Sequence, residues 1–391
     1  MEEENIPRNV LKLLEKSLEN MPVTAILGPR QCGKTTLVKQ LAKENDNFLL
    51  LDMENPADIK ALETDTNAFF DYYRDKTVCI DEIQRVPDLF PVLRYNIDKD
   101  RRNGRFIVSG SASPDLIRQS SESLAGRIRY IELTPFCFNE IKNSEDSFQK
   151  TLVRGGFPLS FLANCDENSF EWRTDFIKTF LERDIPQLGF KVSAAQMRRI
   201  WTMFAHVNAS IINRSKLGES LGVSYHTIDN YIGILTDTFM VRTLQPYCVN
   251  IKKRLVKSPK FLFRDNGILH NLLNIKNYGE LFSHPYFGSS FESFIIQQIL
   301  SDFRISGKSE AFFYRTHQGE EIDLLLDTGK ELVAVEIKSS SSPNIPKGFF
   351  TAVEDLKASK AFVVAPVERA YPAGKNVLVC GLEECIEKIA E

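Results

Sequence analysis

The segment Gly28-Pro29-Arg30-Gln31-Cys32-Gly33-Lys34-Thr35 combines the residue types and the spacing that hold a phosphate chain. Its glycines let the backbone curl until successive N–H groups face one anion, and a helix starting at its end adds the free N–H groups of its first turn. Lys34 is placed to reach the β and γ phosphates, and the Thr35 hydroxyl to reach Mg2+. Thr36 continues the helix start. Arg30 reads as a structural partner for a neighbouring acid, and Cys32 as an inert loop residue. The chemistry this implies is binding of a nucleotide with its magnesium ion.

The elements that must position the loop lie around it. Val23-Thr24-Ala25-Ile26-Leu27 is an apolar run of the buried-strand kind, and Thr36-Leu37-Val38-Lys39-Gln40-Leu41 has helical character. A second apolar run, Thr77-Val78-Cys79-Ile80, ends in Asp81-Glu82. Asp81 is expected to hold the metal and Glu82 to polarise the attacking water. A third run, Arg105-Phe106-Ile107-Val108, ends in Ser109-Gly110-Ser111-Ala112-Ser113. Ser109 there either contacts the γ phosphate or the attacking water, or belongs to a bland serine-rich loop.

At 391 residues with 43% hydrophobic content, the chain is long enough for two or three domains with proper cores. No apolar stretch approaches the ~18 residues a membrane-spanning helix needs, and no membrane partner is expected. The start, Met1-Glu2-Glu3-Glu4-Asn5, is acidic without an apolar signal core, which predicts a cytoplasmic protein. The seven cysteines stand singly with no C-x-x-C pair, which fits reduced thiols and argues against a structural zinc.

Net charge is only −3, yet it is unevenly divided: Glu171 to Lys260 holds 14 Lys and Arg against 7 Asp and Glu, or +7, leaving −10 elsewhere. The cationic subclusters are Arg198-Arg199, and Lys252-Lys253-Arg254 with Lys257 and Lys260. Inside this window Leu217 and Leu221 stripe one short helix, Gly222-Val223-Ser224 makes a turn, and Ile228, Ile232 and Leu235 stripe a second. This is helix-turn-helix grammar, with Met240 to Leu244 as a wing strand and Tyr225, His226, Thr227 and Asn230 facing outward. Such a unit either contacts DNA through phosphate attraction or serves as a packing or dimerisation module.

In the last third, Glu320 to Asp327 alternates into a strand, Thr328-Gly329 is a two-residue turn, and Lys330 to Lys338 returns. That pairing sets Asp327 against Lys330 and Glu336 across from Glu321 and diagonal to Asp323. Glu321, Asp323, Glu336 and Lys338 then share a face, and crowded carboxylates need a proton or cation among them, as in a Mg2+ site able to activate water. The other reading is a solvated charged hairpin. Asp323, Glu336 and Lys338 resemble the PD-(D/E)XK nuclease core. Glu292, in the preceding helix, stands where that superfamily often carries a further acid, although Ile322 replaces its proline.

Nearly end to end, the chain resembles the prokaryotic AAA-type ATPases that carry a C-terminal domain of unknown function with a restriction-endonuclease-like core. The resemblance runs through the phosphate loop, Ile80-Asp81-Glu82-Ile83-Gln84, Ser109-Gly110-Ser111, Leu124-Ala125-Gly126-Arg127, Gly155-Gly156-Phe157-Pro158, Glu182-Arg183-Asp184-Ile185, Phe263-Arg264-Asp265-Asn266-Gly267 and Val335-Glu336-Ile337-Lys338. It implies ATP as the nucleotide, and Arg127 either as the arginine that senses the γ phosphate, often across a homo-oligomer interface, or as a plain surface or core-pairing residue.

The expected fold is α/β in three parts: a P-loop AAA-type sheet domain over 1–140, a helical lid with a winged helix over 141–260, and a nuclease-like α/β domain over 261–391. The expected function is an ATP-hydrolysing protein that binds DNA and couples it to the nuclease-like part. The alternative is a nucleotide-gated protein-interaction scaffold without nuclease activity.

Overall fold

The computed structural model describes residues 6–111, 122–143, 146–188, 190–248, 255–302, 304–305, 307, 309–374 and 376–391. They form two compact units, Met1–Phe136 with Asp237–Phe239, and Cys137–Thr236 with Met240–Glu391. Among the described residues no helix is long and apolar enough to cross a membrane.

The first unit is built on five strands: β1 (Val23–Gly28), β2 (Phe48–Asp52), β3 (Thr77–Asp81), β4 (Phe106–Ser111) and β5 (Ile128–Glu132). All are parallel, in the order β2-β3-β4-β1-β5. Their apolar runs are continuous rather than alternating because both sheet faces are covered. Val23, Ala25, Val78, Ile80 and Phe106 pack with Phe70, Phe90, Leu93 and Ile97 on one face. Ile26, Cys79 and Ile107 pack with Leu14, Leu37 and Val38 on the other. With β4 between β1 and β3, the ends of the loop strand and the acidic strand stand about 10 Å apart, two strand spacings.

In the second unit a nine-stranded sheet runs β13-β14-β12-β11-β10-β9-β7-β8-β6. Its members are β6 (Ser210–Ile211), β7 (Val241–Pro246), β8 (Lys260–Phe263), β9 (Glu310–Arg315), β10 (Glu321–Asp327), β11 (Leu332–Ile337), β12 (Lys360–Val364), β13 (Tyr371–Gly374) and β14 (Val377–Cys380). The stretch 141–260, expected as a part of its own, joins 261–391 through this sheet, since β7 pairs in parallel with β9 at Gln245↔Phe312. The expected wing strand β7 is therefore paired on both edges, with β8 antiparallel on its other side.

The β10–β11 connection differs from the expected two-residue turn. Asp327 pairs with Leu332, so the loop is Thr328 to Glu331, closed by the Thr328 N–H donating to the Glu331 carbonyl at 3.1 Å. Gly329 takes φ 76° there, and the Thr328 hydroxyl accepts from the Glu331 N–H at 3.1 Å. Those local bonds satisfy a four-residue loop and move the register by two. The even shift keeps Leu324 to Asp327 on their expected faces against β11, but a bulge in β10 between Ile322 and Leu325 breaks the alternation, and those two residues pack into the same core.

Two of the sequence motifs turn out to clasp each other. The Gly156 N–H donates to Asp265 Oδ2 at 2.8 Å, and Asp265 Oδ1 caps the helix Asn266–Leu272 through the Ile268 N–H. Gly155 has φ +75°, and a Cβ on it would lie 2.2 Å from Asp265 Oδ1. Beneath them the fully buried Arg173 donates to the carbonyls of Val153 and Gly267.

Candidate functional site

The phosphate-loop residues lie where β1 ends and the helix Lys34–Glu44 begins. Gly33 sits at the helix N-terminus with φ 100°, a conformation that favours glycine, and Gln31 also has positive φ, 61°. Lys34 is 4% exposed, and its ammonium donates to the carbonyls of Gly28 (3.0 Å) and Pro29 (2.8 Å). Among the described residues no carboxylate lies within ion-pair distance of it. A buried cation held only by carbonyl dipoles at a helix N-terminus is electrostatically incomplete, and an anion completes it.

Opposite the loop, Asp81 is 1% exposed at the end of β3. Its Oδ1 accepts from the Ser109 hydroxyl and, at 3.1 Å, from the Glu82 N–H. Ser109 thus steadies the acid from the neighbouring strand β4. Both bonds fall on Oδ1, so Asp81 Oδ2 and the Thr35 hydroxyl have no protein partner among the described residues, and each is an oxygen donor of the kind Mg2+ takes. Glu82 has φ 56°, and its carboxylate accepts from the Gln84 side chain. Burial pushes the Glu82 carboxyl above its usual range, while Lys34, the Gln84 bond and Arg30 pull the other way. Arg30 is thus charge-coupled to an acid.

Cys32 is fully buried, its thiol donates to the Leu133 carbonyl at 3.3 Å, and burial raises its pKa, which disfavours the reactive thiolate. Arg8 escaped the sequence reading. Its guanidinium donates to the Cys32 carbonyl at 3.0 Å and the Thr134 carbonyl at 2.6 Å, and lies 5.0 Å from the Phe136 ring centroid. Its separation of 24 and 126 residues from those partners leaves no local signal. Arg127 precedes β5, which runs parallel to β1 with Val23 opposite Ile128, so it sits at the end of the sheet away from the loop. There it pairs with Asp98 at 2.7 Å, and within this chain it is not brought to the phosphate loop.

The second unit gathers the other set of expected site residues. Glu292 projects from the helix Phe287–Ser301, Asp323 from β10, and Glu336 from β11 with Lys338 just beyond it. The Lys338 ammonium donates to Glu336 Oε1 at 2.6 Å, and Asp323 Oδ2 accepts from the Ile337 N–H at 3.0 Å. Lys260, counted from sequence in a cationic subcluster, is 2% exposed and lies inside this acidic cluster. It donates to Glu292 Oε1 at 2.7 Å and Asp323 Oδ1 at 3.1 Å, with Glu321 Oε1 at 3.8 Å.

Burial, and next the Asp323 charge, raise the carboxyls of Glu292 and Glu336. Burial works against the Lys260 charge, but Asp323, Glu292 and Glu321 more than offset it and hold it protonated. Among the described residues no three of His, Cys, Asp or Glu are arranged to hold a metal ion. The cation among these carboxylates is an ammonium, so the cluster as it stands does not fit Mg2+.

The helix pair takes its expected form. Arg214–Leu221 is capped by Asn213 and ends at left-handed Gly222, and Tyr225–Asp237 follows, with Ser224 Oγ accepting from the Thr227 N–H at 3.1 Å. Leu217, Leu221, Ile228, Ile232 and Leu235 are buried, while Tyr225, His226 and Asn230 are exposed and Thr227 half-buried. Arg198, Arg199 and Lys257 are exposed. Lys252-Lys253-Arg254 lies outside the described residues, as do Ala112 and Ser113.

Family comparisons bear on the first unit as a domain. An AAA domain matches residues 20–142, and two domains of unknown function follow, DUF8612 at 145–279 and DUF4143 at 287–385. With the loop, the acidic strand end and the parallel sheet, this makes the first unit an AAA-type P-loop ATPase domain of α/β fold. An uncharacterized protein of Mycobacterium tuberculosis is 37% identical over 97% of this chain and 84% of its own length, and one of Mycobacterium bovis matches equally. The chain belongs to the family of these mycobacterial proteins. The AMPPCP-bound DnaA structure from Aquifex aeolicus aligns with 59% of this chain and 88% of its own at 13% identity, but the TM-score of 0.26 is too low to carry structural or functional inference.

Proposed function

We propose that the protein is an ATP-hydrolysing switch whose second unit binds DNA. The observation that carries the first half is the buried Lys34 ammonium, held by carbonyls alone at a helix N-terminus, with Asp81 and Glu82 ending the strand two places away. Gly28 to Thr36 would bind the triphosphate through backbone N–H groups, and Lys34 would hold its terminal oxygens. Mg2+, held by Thr35 and Asp81, would neutralise phosphate charge. Glu82 would orient the attacking water, and its burial-raised pKa makes it a better proton acceptor than a solvated carboxylate. Ser109 would keep Asp81 in place. Arg127, facing away from the loop in its own chain, would act only on the nucleotide of a neighbouring copy in a homo-oligomer.

For DNA, support comes from the order of elements: helix Ala194–Ala205, β6, the helix pair, then β7 and β8, with β8 between β6 and β7. That order supports a winged-helix reading, in which Tyr225, His226, Thr227 and Asn230 lie on the outer side of the second helix. The strands β9 to β12, with Asp323, Glu336 and Lys338, support a restriction-endonuclease-like fold for the C-terminal part. On this reading the chain divides functionally at 1–140, 141–260 and 261–391 and works in the cytoplasm. A second reading, a nucleotide-gated interaction scaffold without nuclease activity, is favoured by Lys260 lying in the acidic cluster. Phosphate release from ATP, measured with and without duplex DNA across a salt series, tests the proposal. Turnover that rises with DNA and loses that response with salt is expected. Turnover indifferent to DNA would leave the scaffold, and none at all would remove the switch.

A further inference from the structure

A groove of about 670 Å3 opens in the second unit between the helix Leu382–Ala390 and the loop that follows β12, and its lining shares no residue with either site described above. That volume is within the size range of built binding sites. Its floor is apolar: Phe138, Phe148, Phe291, Ile295 and Leu382. The three rings form a run, with centroids 5.7 Å apart between Phe138 and Phe148 and 6.3 Å apart between Phe148 and Phe291. Phe291, Ile295 and Leu382 are buried, whereas Phe138 and Phe148 are half-buried at the groove. The Phe138 N–H donates to Gln298 Oε1 at 2.7 Å, which ties the short helix Phe138–Ile141 to the helix Phe287–Ser301 and fixes the floor.

The rim is acidic. Glu383, Glu387 and Glu391 recur every fourth residue along a helix whose Leu382, Cys385 and Ile386 are buried, and Glu368 comes from the facing loop. Carboxylates at that spacing lie about 6 Å apart along the axis and repel one another. Glu387 and Glu391 also stand at the C-terminal end, where the helix dipole favours cations. Lys142 pairs with Glu383, and Lys388 with Glu384 at 3.7 Å. Arg304, which also senses the Glu387 charge, is held chiefly by Asp302, through both oxygens at 2.9 and 3.0 Å. Among the described residues Glu368, Glu387 and Glu391 make no ion pair, so the five rim carboxylates less Lys142 and Lys388 leave three negative charges in surplus.

We propose that this groove is a docking site for a basic amphipathic segment of another protein, with its apolar side chains on the three phenylalanines and its Lys or Arg heads on Glu368, Glu387 and Glu391. Such a segment is a helix laid in a groove, apolar face down, with cations along its flanks. Charge complementarity selects it: a neutral apolar segment leaves the carboxylates unmet, and a small amine leaves the aromatic floor in water. Neither nucleotide, nor DNA, nor the acidic cluster around Asp323 takes part.

Three fluorescent peptides of one length, read by anisotropy against the full-length protein, test the docking site. One is an amphipathic helix with a Leu and Phe face flanked by Lys and Arg, one keeps that face with Glu flanks, and one keeps the basic flanks with the face changed to Ser. Only the first should bind at micromolar concentration, and added salt should weaken it. Glu387→Lys together with Glu391→Lys should weaken that binding at least tenfold. Both side chains are exposed, so the melting transition should match the parent's and ATP turnover should stay within twofold. Millimolar or weaker binding of the basic peptide, equal binding of the acidic one, or indifference to the charge reversal would overturn the docking site. Spermidine displacing the peptide at equal concentration would give the groove to a small amine. Sedimentation showing a parent dimer that the charge reversal breaks would give it to a second copy, and either result counts against a protein partner.

Discussion

Two buried lysines, one in each unit, are placed in opposite electrostatic circumstances. Lys34 is 4% exposed against two carbonyls, and Lys260 is 2% exposed against Glu292 and Asp323 with Glu321 nearby. The first ammonium has no carboxylate at ion-pair distance among the described residues and is poised for a ligand that supplies one. The second already has its counter-anions, and its charge is spent on the fold. Burial alone therefore does not mark a lysine as functional; what surrounds the charge decides.

The largest expected effect separates the two directly. Lys260→Ala strands two carboxylates in the interior and should cost about 3–5 kcal/mol of stability by urea unfolding. Lys34→Ala breaks no ion pair, and its urea midpoint should stay close to the parent's. Its loss should fall on activity, with ATP turnover reduced about 100- to 1000-fold as when one pre-positioned electrostatic donor is removed. If Lys34→Ala lost stability and kept turnover, the contrast would collapse.

A pH series sharpens the difference between the units. His270 is fully buried in the second unit, and burial first, with Arg173 and His284 adding to it, lowers its pKa to about 3. Its Nδ1–H donates to the Val153 carbonyl at 3.2 Å. A histidine neutral in the folded state and protonated when unfolded takes up protons on unfolding between about pH 6.5 and 3. Stability should therefore fall as pH drops through that window, by about 1.4 kcal/mol per unit from this group. Urea midpoints at pH 7 and pH 5 check it, and His270→Asn should flatten the slope.

The smallest effect concerns Arg127. Its exposed pair with Asp98 should contribute less than about 1 kcal/mol, so Arg127→Ala should unfold near the parent's midpoint. Turnover measured against protein concentration then discriminates. A loss seen only at concentrations where chains associate would place Arg127 in a neighbour's site, and no loss would leave it structural.

Much of the first site was legible along the chain because its parts are short and local. The loop, its strand and its helix are consecutive, and Asp81 and Glu82 end an apolar run whose character announces a covered parallel sheet. Arg8 was not legible, since it reaches the Cys32 carbonyl from 24 residues upstream with no pattern around it. Past the bulge between Ile322 and Leu325, which no local pattern marks, the faces of β10 and β11 survived a wrong turn length because strand side chains alternate with period two. The turn itself did not, because Thr328 bonds locally to Glu331 and the short-loop rule ignores such bonds.

The amino-acid order alone determined the phosphate loop, the acidic strand end, the striped helix pair and the convergence of Asp323, Glu336 and Lys338 on one face. Each follows from contacts or periodicities spanning a few residues. The tertiary structure alone decided where the cations go. It carried Lys260 out of a basic stretch and set it beside Asp323, 63 residues away, and it placed Arg127 at the far edge of its sheet. A charge's partners are chosen by the fold, and its energy depends on burial and distance, neither of which is written in local sequence.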